Sequence, residues 1–373
     1  MKSLETRIAL IDVLKVVAMQ LIVLHHMASY GPLAEAVRVL FPESIFWLYD
    51  HGRIAVQVFL VIGGYLAARV LSPHGEPFRG GLATTLINRY LRLTPPYMVA
   101  ILLAVACAAF ARKWINDEDF IPAAPLLRQW LAHVFLLHDL LSYEALSAGV
   151  WYVAIDFQLF VLLAALLWLS ARLSRFSRRA QGVGVTGVLL LSIASLFWFN
   201  RNPDYDIWAM YFFVAYGLGA VTYWSGKGST SLLLALRLLW LIVGLALLLD
   251  FRWRLLLALM TALALHLTQN NPLPLSWRLP HWIHVLAHMS YALFLLHFPI
   301  YMLVSALFVK YGLLGGPWSG MAGLIVTWLL SVVAAYFLHR WVELTAGRLR
   351  VGLPGKWRRP DSTVKTIPAD NRR

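Results

Sequence analysis

Long apolar stretches interrupted by short polar ones give the chain its rhythm. Ten segments of spanning length follow one another at roughly 8-28, 54-72, 95-112, 151-170, 183-199, 207-224, 232-249, 253-269, 288-309 and 320-341. A hydrocarbon core about 30 Å thick needs about 20 residues of helix, so each predicts a transmembrane α-helix. The run LLRQWLAHVFLLHDLL, Leu126 to Leu141, is shorter and sets Arg128, His133, His138 and Asp139 among Leu, Trp and Phe. That mixture predicts an interfacial or re-entrant amphipathic helix. The expected fold is all-α: a polytopic membrane protein of ten helices plus this one. Residues 1-343 form the transmembrane domain, and residues 344-373, rich in Pro, Lys and Arg without apolar periodicity, read as a solvated, disordered tail.

Composition agrees. The 373 residues are 60% hydrophobic and only 13% charged, against about 45–50% and about 25% in soluble domains. A net charge of +14 would suggest nucleic acid in a soluble protein, but in this chain its distribution between loops carries the information. Membrane lipids, not nucleic acid, are the expected surroundings. The single cysteine, Cys107, lies in an apolar run and reads as a small buried hydrophobe. The first segment is too long, and too interrupted by Asp12 and Lys15, for a cleavable signal peptide.

Loop charges give the orientation. With the N-terminus in the cytoplasm, inner loops collect Arg79, Arg89 and Arg92, then Arg172, Arg175, Arg178 and Arg179, then Lys227, Arg278 and the basic tail. Outer loops collect Glu35, Glu43, Asp50, Asp117, Glu118, Asp119, Asp139, Glu144, Asp204 and Asp206. The positive-inside rule therefore predicts both termini inside. No internal repeat is visible, so the inverted-repeat signature of many transporters is missing.

Ionisable residues inside apolar spans cost about 2.5–3.5 kcal/mol each even on the lenient insertion scale, which makes them candidates for function. The first span carries Asp12, Lys15, His25 and His26. Lys15 and His26 are eleven residues apart, close to three helical turns and about 16 Å of rise, so they share a face, and helical phase favours His26 over His25. Asp12 and Lys15 are an i,i+3 pair that can neutralise each other, or serve only as an interface anchor. In the second span, Gly63 and Gly64 either admit a ligand or form a helix packing notch. Arg89 and Arg92, three apart before Pro95 and Pro96, can fork onto phosphate oxygens or anchor the interface. Asp156 and Gln158 sit in the fourth span, where a carboxylate needs a partner such as Lys15, Arg89, Arg92 or a histidine. His297 lies about nine residues into the ninth. The sequence shows no H-E-x-x-H or Cys/His spacing, no phosphate-binding glycine loop and no nucleophile elbow, and no metal is expected.

Taken in order, these positions resemble the acyltransferase-3 family of bacterial membrane-bound O-acyltransferases. The resemblance runs from Arg7 to about Glu343. Its blocks are Ile11, Asp12, Leu14, Lys15 and His26; Gly52, Val56, Phe59, Gly63, Gly64 and Tyr65; Arg89, Arg92, Leu93, Pro95 and Tyr97; Trp151, Asp156 and Gln158; and Ser290, Tyr291, His297 and Pro299. It implies that Lys15 and His26 are essential, with Asp156 standing where the family has glutamate, and that Arg89 and Arg92, with Gly63, Gly64 and Tyr65, belong to the acyl-CoA side. Asp12, Trp151, Gln158, Tyr291 and His297 are implied as substrate-binding or structural. Departures are Gly63 in place of the usual serine and Gln57 in place of a frequent aspartate. No esterase-like domain follows the tenth span, as in stand-alone members.

The resulting expectation is transfer of an acyl group, most simply acetyl, from cytoplasmic acyl-CoA to a hydroxyl of a cell-envelope glycan or lipid-linked sugar in the bacterial plasma membrane. Arg89 and Arg92 would hold the CoA phosphates. His26 would be general base or acyl carrier, and Lys15 would orient the first helix through Asp12 or Asp156, or bind CoA. Two rivals are a sugar transporter or flippase, and an acyltransferase acting on amines or lipids. Oligomeric state is left open by the sequence.

Overall fold

A computed structural model describes residues 2–176, 182–227, 229–270 and 279–351. The basic residues Arg178, Arg179 and Arg278, and the tail from 352 onward, lie outside the described residues. Among the described residues the regular structure is helical, without strands. The long helices are α1 (Lys2–Ser29), α4 (Val56–Leu71), α5 (Leu82–Ala111), α7 (Trp151–Leu173), α8 (Val183–Phe197), α9 (Ala209–Ser225), α10 (Thr230–Leu249), α11 (Trp253–Asn270), α13 (Ser290–Lys310) and α14 (Pro317–Leu338). One falls on each predicted span. Eight helices among the described residues are long and apolar enough to cross a membrane, as a multi-pass membrane protein requires. Shorter helices are α2 (Gly31–Arg38), α3 (Pro42–His51), α6 (Leu127–Val134) and α12 (His281–His288).

At 17 residues α9 is short for a span, yet it is buried along nearly its whole length by α4, α8, α10 and α11. Its joint with α4 is made by glycines. A Cβ on Gly64 would lie 1.9 Å from the Tyr216 carbonyl oxygen, and one on Gly219 would lie 1.9 Å from that of Val61. The two backbones therefore touch, the close approach that small residues permit between membrane helices. By contrast α10 turns Leu234, Leu238, Leu241, Leu245 and Leu248 outward, an apolar stripe at helical spacing that suits lipid.

Three expectations are corrected. The third helix begins at Leu82 and carries Pro95 and Pro96 in its interior, so Arg89 and Arg92 are helical residues and not part of a loop before a span. The amphipathic run does not form one helix to Leu141: α6 ends at Val134, because Leu136 takes a left-handed φ of 57° and the chain turns. The chain after Glu343 begins as structure: Leu344–Ala346 is a helical turn, and Asn88 pairs with both the amide (2.7 Å) and carbonyl (3.1 Å) of Val351, holding it over the start of α5.

Candidate functional site

His26, near the end of α1, and His297, in α13, meet side chain to side chain: His26 Nδ1 is 2.7 Å from His297 Nε2, and the rings are nearly parallel at 10°. The tautomers follow from the partners. His297 Nδ1 is 3.2 Å from the Leu293 carbonyl oxygen, which can only accept, so Nδ1 carries the proton and neutral His297 presents Nε2 as an acceptor. His26 Nδ1–H then donates to it. This leaves the His26 Nε2 lone pair without a partner among the described residues. His25, on the next position of α1, instead bonds the Leu48 carbonyl of α3 through Nδ1 at 2.9 Å. The helical phase that favours His26 is thus the one that meets His297.

A cavity of about 490 Å³ opens at this end of the bundle, lined by both of these α1 histidines, Tyr30, Ser147, Gly149 and Trp151, with Arg53, Asp119, Asp139 and Asp206 at its polar side. Trp151 begins α7 and stacks on Phe212 with ring centres 5.6 Å apart. Burial, and secondarily Asp206, push the Asp139 carboxyl up to about 6, while burial and the neighbouring His133 push His138 down to about 3. His133 and His138 stack at 4.2 Å, and His133 receives the Leu146 amide at 3.2 Å. That bond ties His133 at the end of α6 to the segment that leads into α7.

At the other end Asp156 takes one of the partners the sequence reading offered it, while Asp12 takes one that reading passed over. Asp156 pairs with Arg89 across α7 and α5, and Asp12 pairs with His284 of α12 at 2.7 Å. Lys15 therefore orients α1 through neither carboxylate as sole partner; it lies in the electrostatic field of Asp12, Arg92 and Glu343. Arg92 is exposed, with Arg89, Glu343 and Arg350 as its main charged neighbours. Tyr291 donates its hydroxyl to the Leu93 carbonyl at 3.0 Å, just before the two prolines of α5.

Gly64 and Tyr65 sit within the α4–α9 joint. Gly64 has no space for a ligand, and Tyr65 is fully buried with its ring edge-on to Tyr223. Gly63 faces the Tyr216 ring, 3.1 Å from a Cβ there, and the Asp156 carboxylate at 3.4 Å. Gln158 accepts the Ala209 amide at 3.1 Å and so caps α9.

Residues 8–338 match the acyltransferase-3 family, described as an acyltransferase domain. The chain belongs to that family. It is therefore a membrane acyltransferase, and both His26 and His297 lie within the matched residues. No curated protein and no solved structure matches the chain. For this acyltransferase, residues the sequence reading passed over are His284, Arg53, Ser147 and Gly149. His284 was hidden in a segment read as a connection between spans. The turn at 147–150 carried a visible signal, since glycine before a helix start permits the positive φ that Gly149 adopts, 83°.

Proposed function

We propose that this acyltransferase moves an acyl group, acetyl in the simplest case, from cytoplasmic acyl-CoA to a hydroxyl of a cell-envelope glycan or lipid-linked sugar, across a bacterial plasma membrane with both termini inside. The observation that carries the reading is the free Nε2 of His26 beside a polar cavity at one end of the bundle, while Arg92, Arg350 and Lys15 gather at the other. Exposed Arg92 and Arg350 suit CoA phosphates, whereas Arg89 is committed to Asp156 and keeps that carboxylate compensated. The acyl thioester would reach the cavity between helices. His26 Nε2 takes the proton of the acceptor hydroxyl as its oxygen forms a bond to the thioester carbon. On collapse the C–S bond breaks, and the proton passes to the leaving sulfur, giving the ester and free CoA. A base whose other nitrogen donates to His297 supports direct transfer over an acyl-histidine carrier.

The test uses purified protein in sealed vesicles, acetyl-CoA on the basic side and an extract of envelope glycans and lipid-linked sugars on the other. CoA release should depend on the extract, and mass spectrometry should find the acetyl group on a sugar hydroxyl. His26→Ala, inserted normally, should lose about 10²–10⁴-fold in rate. Sugar movement without CoA release would establish a transporter instead, and acetyl on an amine or lipid would overturn the acceptor.

A further inference from the structure

We propose that the Ser147–Gly149 turn is the oxyanion hole of the transfer, with the Ser147 hydroxyl and the Gly149 amide donating to the thioester carbonyl oxygen as it becomes negative; this rests on His26 acting as the base. Ser147 lines the same cavity as His26 and is only 2% exposed, yet its Oγ has no hydrogen-bond partner among the described residues. An unpaired buried hydroxyl is costly, and one beside a general base is a donor held in readiness.

The backbone next to it is equally unspent. The Ala148 and Gly149 amides have no acceptor among the described residues, and the turn leads directly into α7, whose start carries no side-chain cap. The positive end of a 23-residue helix dipole thus faces the cavity. Gly149 also sits against the right edge of the base. A Cβ built on it would lie 3.3 Å from His26 Cε1 and 3.1 Å from Phe294 Cζ. Cε1 is bonded to both ring nitrogens, and Nδ1 is taken by His297, so the open nitrogen on that edge is Nε2. The donors and the base accordingly line one cavity, where a tetrahedral intermediate needs both: the acceptor oxygen bonds to the carbonyl carbon, its proton goes to Nε2, and the carbonyl electron pair moves onto the oxygen held by Ser147 and Gly149. Collapse returns that pair and expels the sulfur.

Removal of one such donor costs about 10²–10³-fold in kcat. Ser147→Ala should show that loss with acetyl-CoA and the envelope extract, while KM for acetyl-CoA and the Kd of a thioether analogue of acetyl-CoA, which cannot transfer its group, stay unchanged. Ser147→Cys, close in size with a weaker donor, should lose about 10-fold or more and serves if the alanine variant is not recovered from membranes. A kcat within twofold of the parent in either variant would overturn the proposal. So would a rate loss matched by equal weakening of analogue binding, since that marks a structural role. A parent protein that releases no CoA would sink the functional reading itself, whereas an active parent with unaffected Ser147 variants sinks only the oxyanion hole.

Discussion

His297 is held by the Leu293 carbonyl through Nδ1 and turns Nε2 toward His26. Its Nε2 receives His26 Nδ1–H at 2.7 Å, which fixes the tautomer that leaves Nε2 free, as the orienting partner of a catalytic histidine does elsewhere. His297→Ala removes that acceptor and should lower kcat by about 10²-fold. His297→Gln keeps a carbonyl able to accept and should recover part of the loss. CoA-release kinetics with both variants, beside a thermal melt, separate positioning from stability. At this scale the sequence was readable where helical phase discriminates: phase with Lys15 favoured His26 over His25, and it is His26 that meets His297. The partners were readable only in part, because ion pairs between helices depend on which helices meet. Asp156 finds Arg89, one of the partners the sequence offered it, whereas Asp12 finds His284, 272 residues away, which the sequence did not suggest.

Among elements, the α4–α9 joint is the least forgiving. Backbone meets backbone at Gly64 and Gly219, so a single methyl has nothing flexible to displace. Gly64→Ala should cost about 3 kcal/mol or more, the upper range of overpacking, seen as a lowered unfolding temperature by tryptophan fluorescence in detergent. Gly63→Ser should be tolerated. Its Cβ meets a ring edge at 3.1 Å that can yield slightly, and the added hydroxyl can donate to Asp156 Oδ1, 3.4 Å from that Cβ. Hydropathy located all ten long helices because each must shield its backbone polar groups within an apolar medium. It misplaced the start of α5, since Pro95 and Pro96 look like a helix opening while the helix in fact runs through them. It also overextended α6, because a leucine in left-handed conformation leaves no sequence signal.

For the whole molecule, proton binding on unfolding sets stability against pH. His138 is held neutral down to about 3, so the unfolded chain takes up a proton below about 6.5 that the fold refuses. That contribution is lost as pH falls from about 6.5 toward 3. Asp139 runs the other way: the fold keeps its proton up to about 6 while the unfolded carboxyl gives it up near 3.8, so stability falls as pH rises between those values. The two slopes oppose each other across about pH 4–6. Asp139→Asn removes one, and its unfolding temperature should then climb with pH through that window more steeply than the parent's.

The glycine joint also bears on how the protein is made. Gly64 and Gly219 are 155 residues apart in the chain. A ribosome adding about 5–20 residues per second needs roughly 8–30 s to pass from one to the other. For that interval α4 stands in the membrane with its notch unmatched, while α5, α7 and α8 are delivered before its partner exists. This backbone contact therefore cannot close until α9 is made, with α10, α11, α13 and α14 still to follow, and the space for α9 must be left open by helices that arrive earlier.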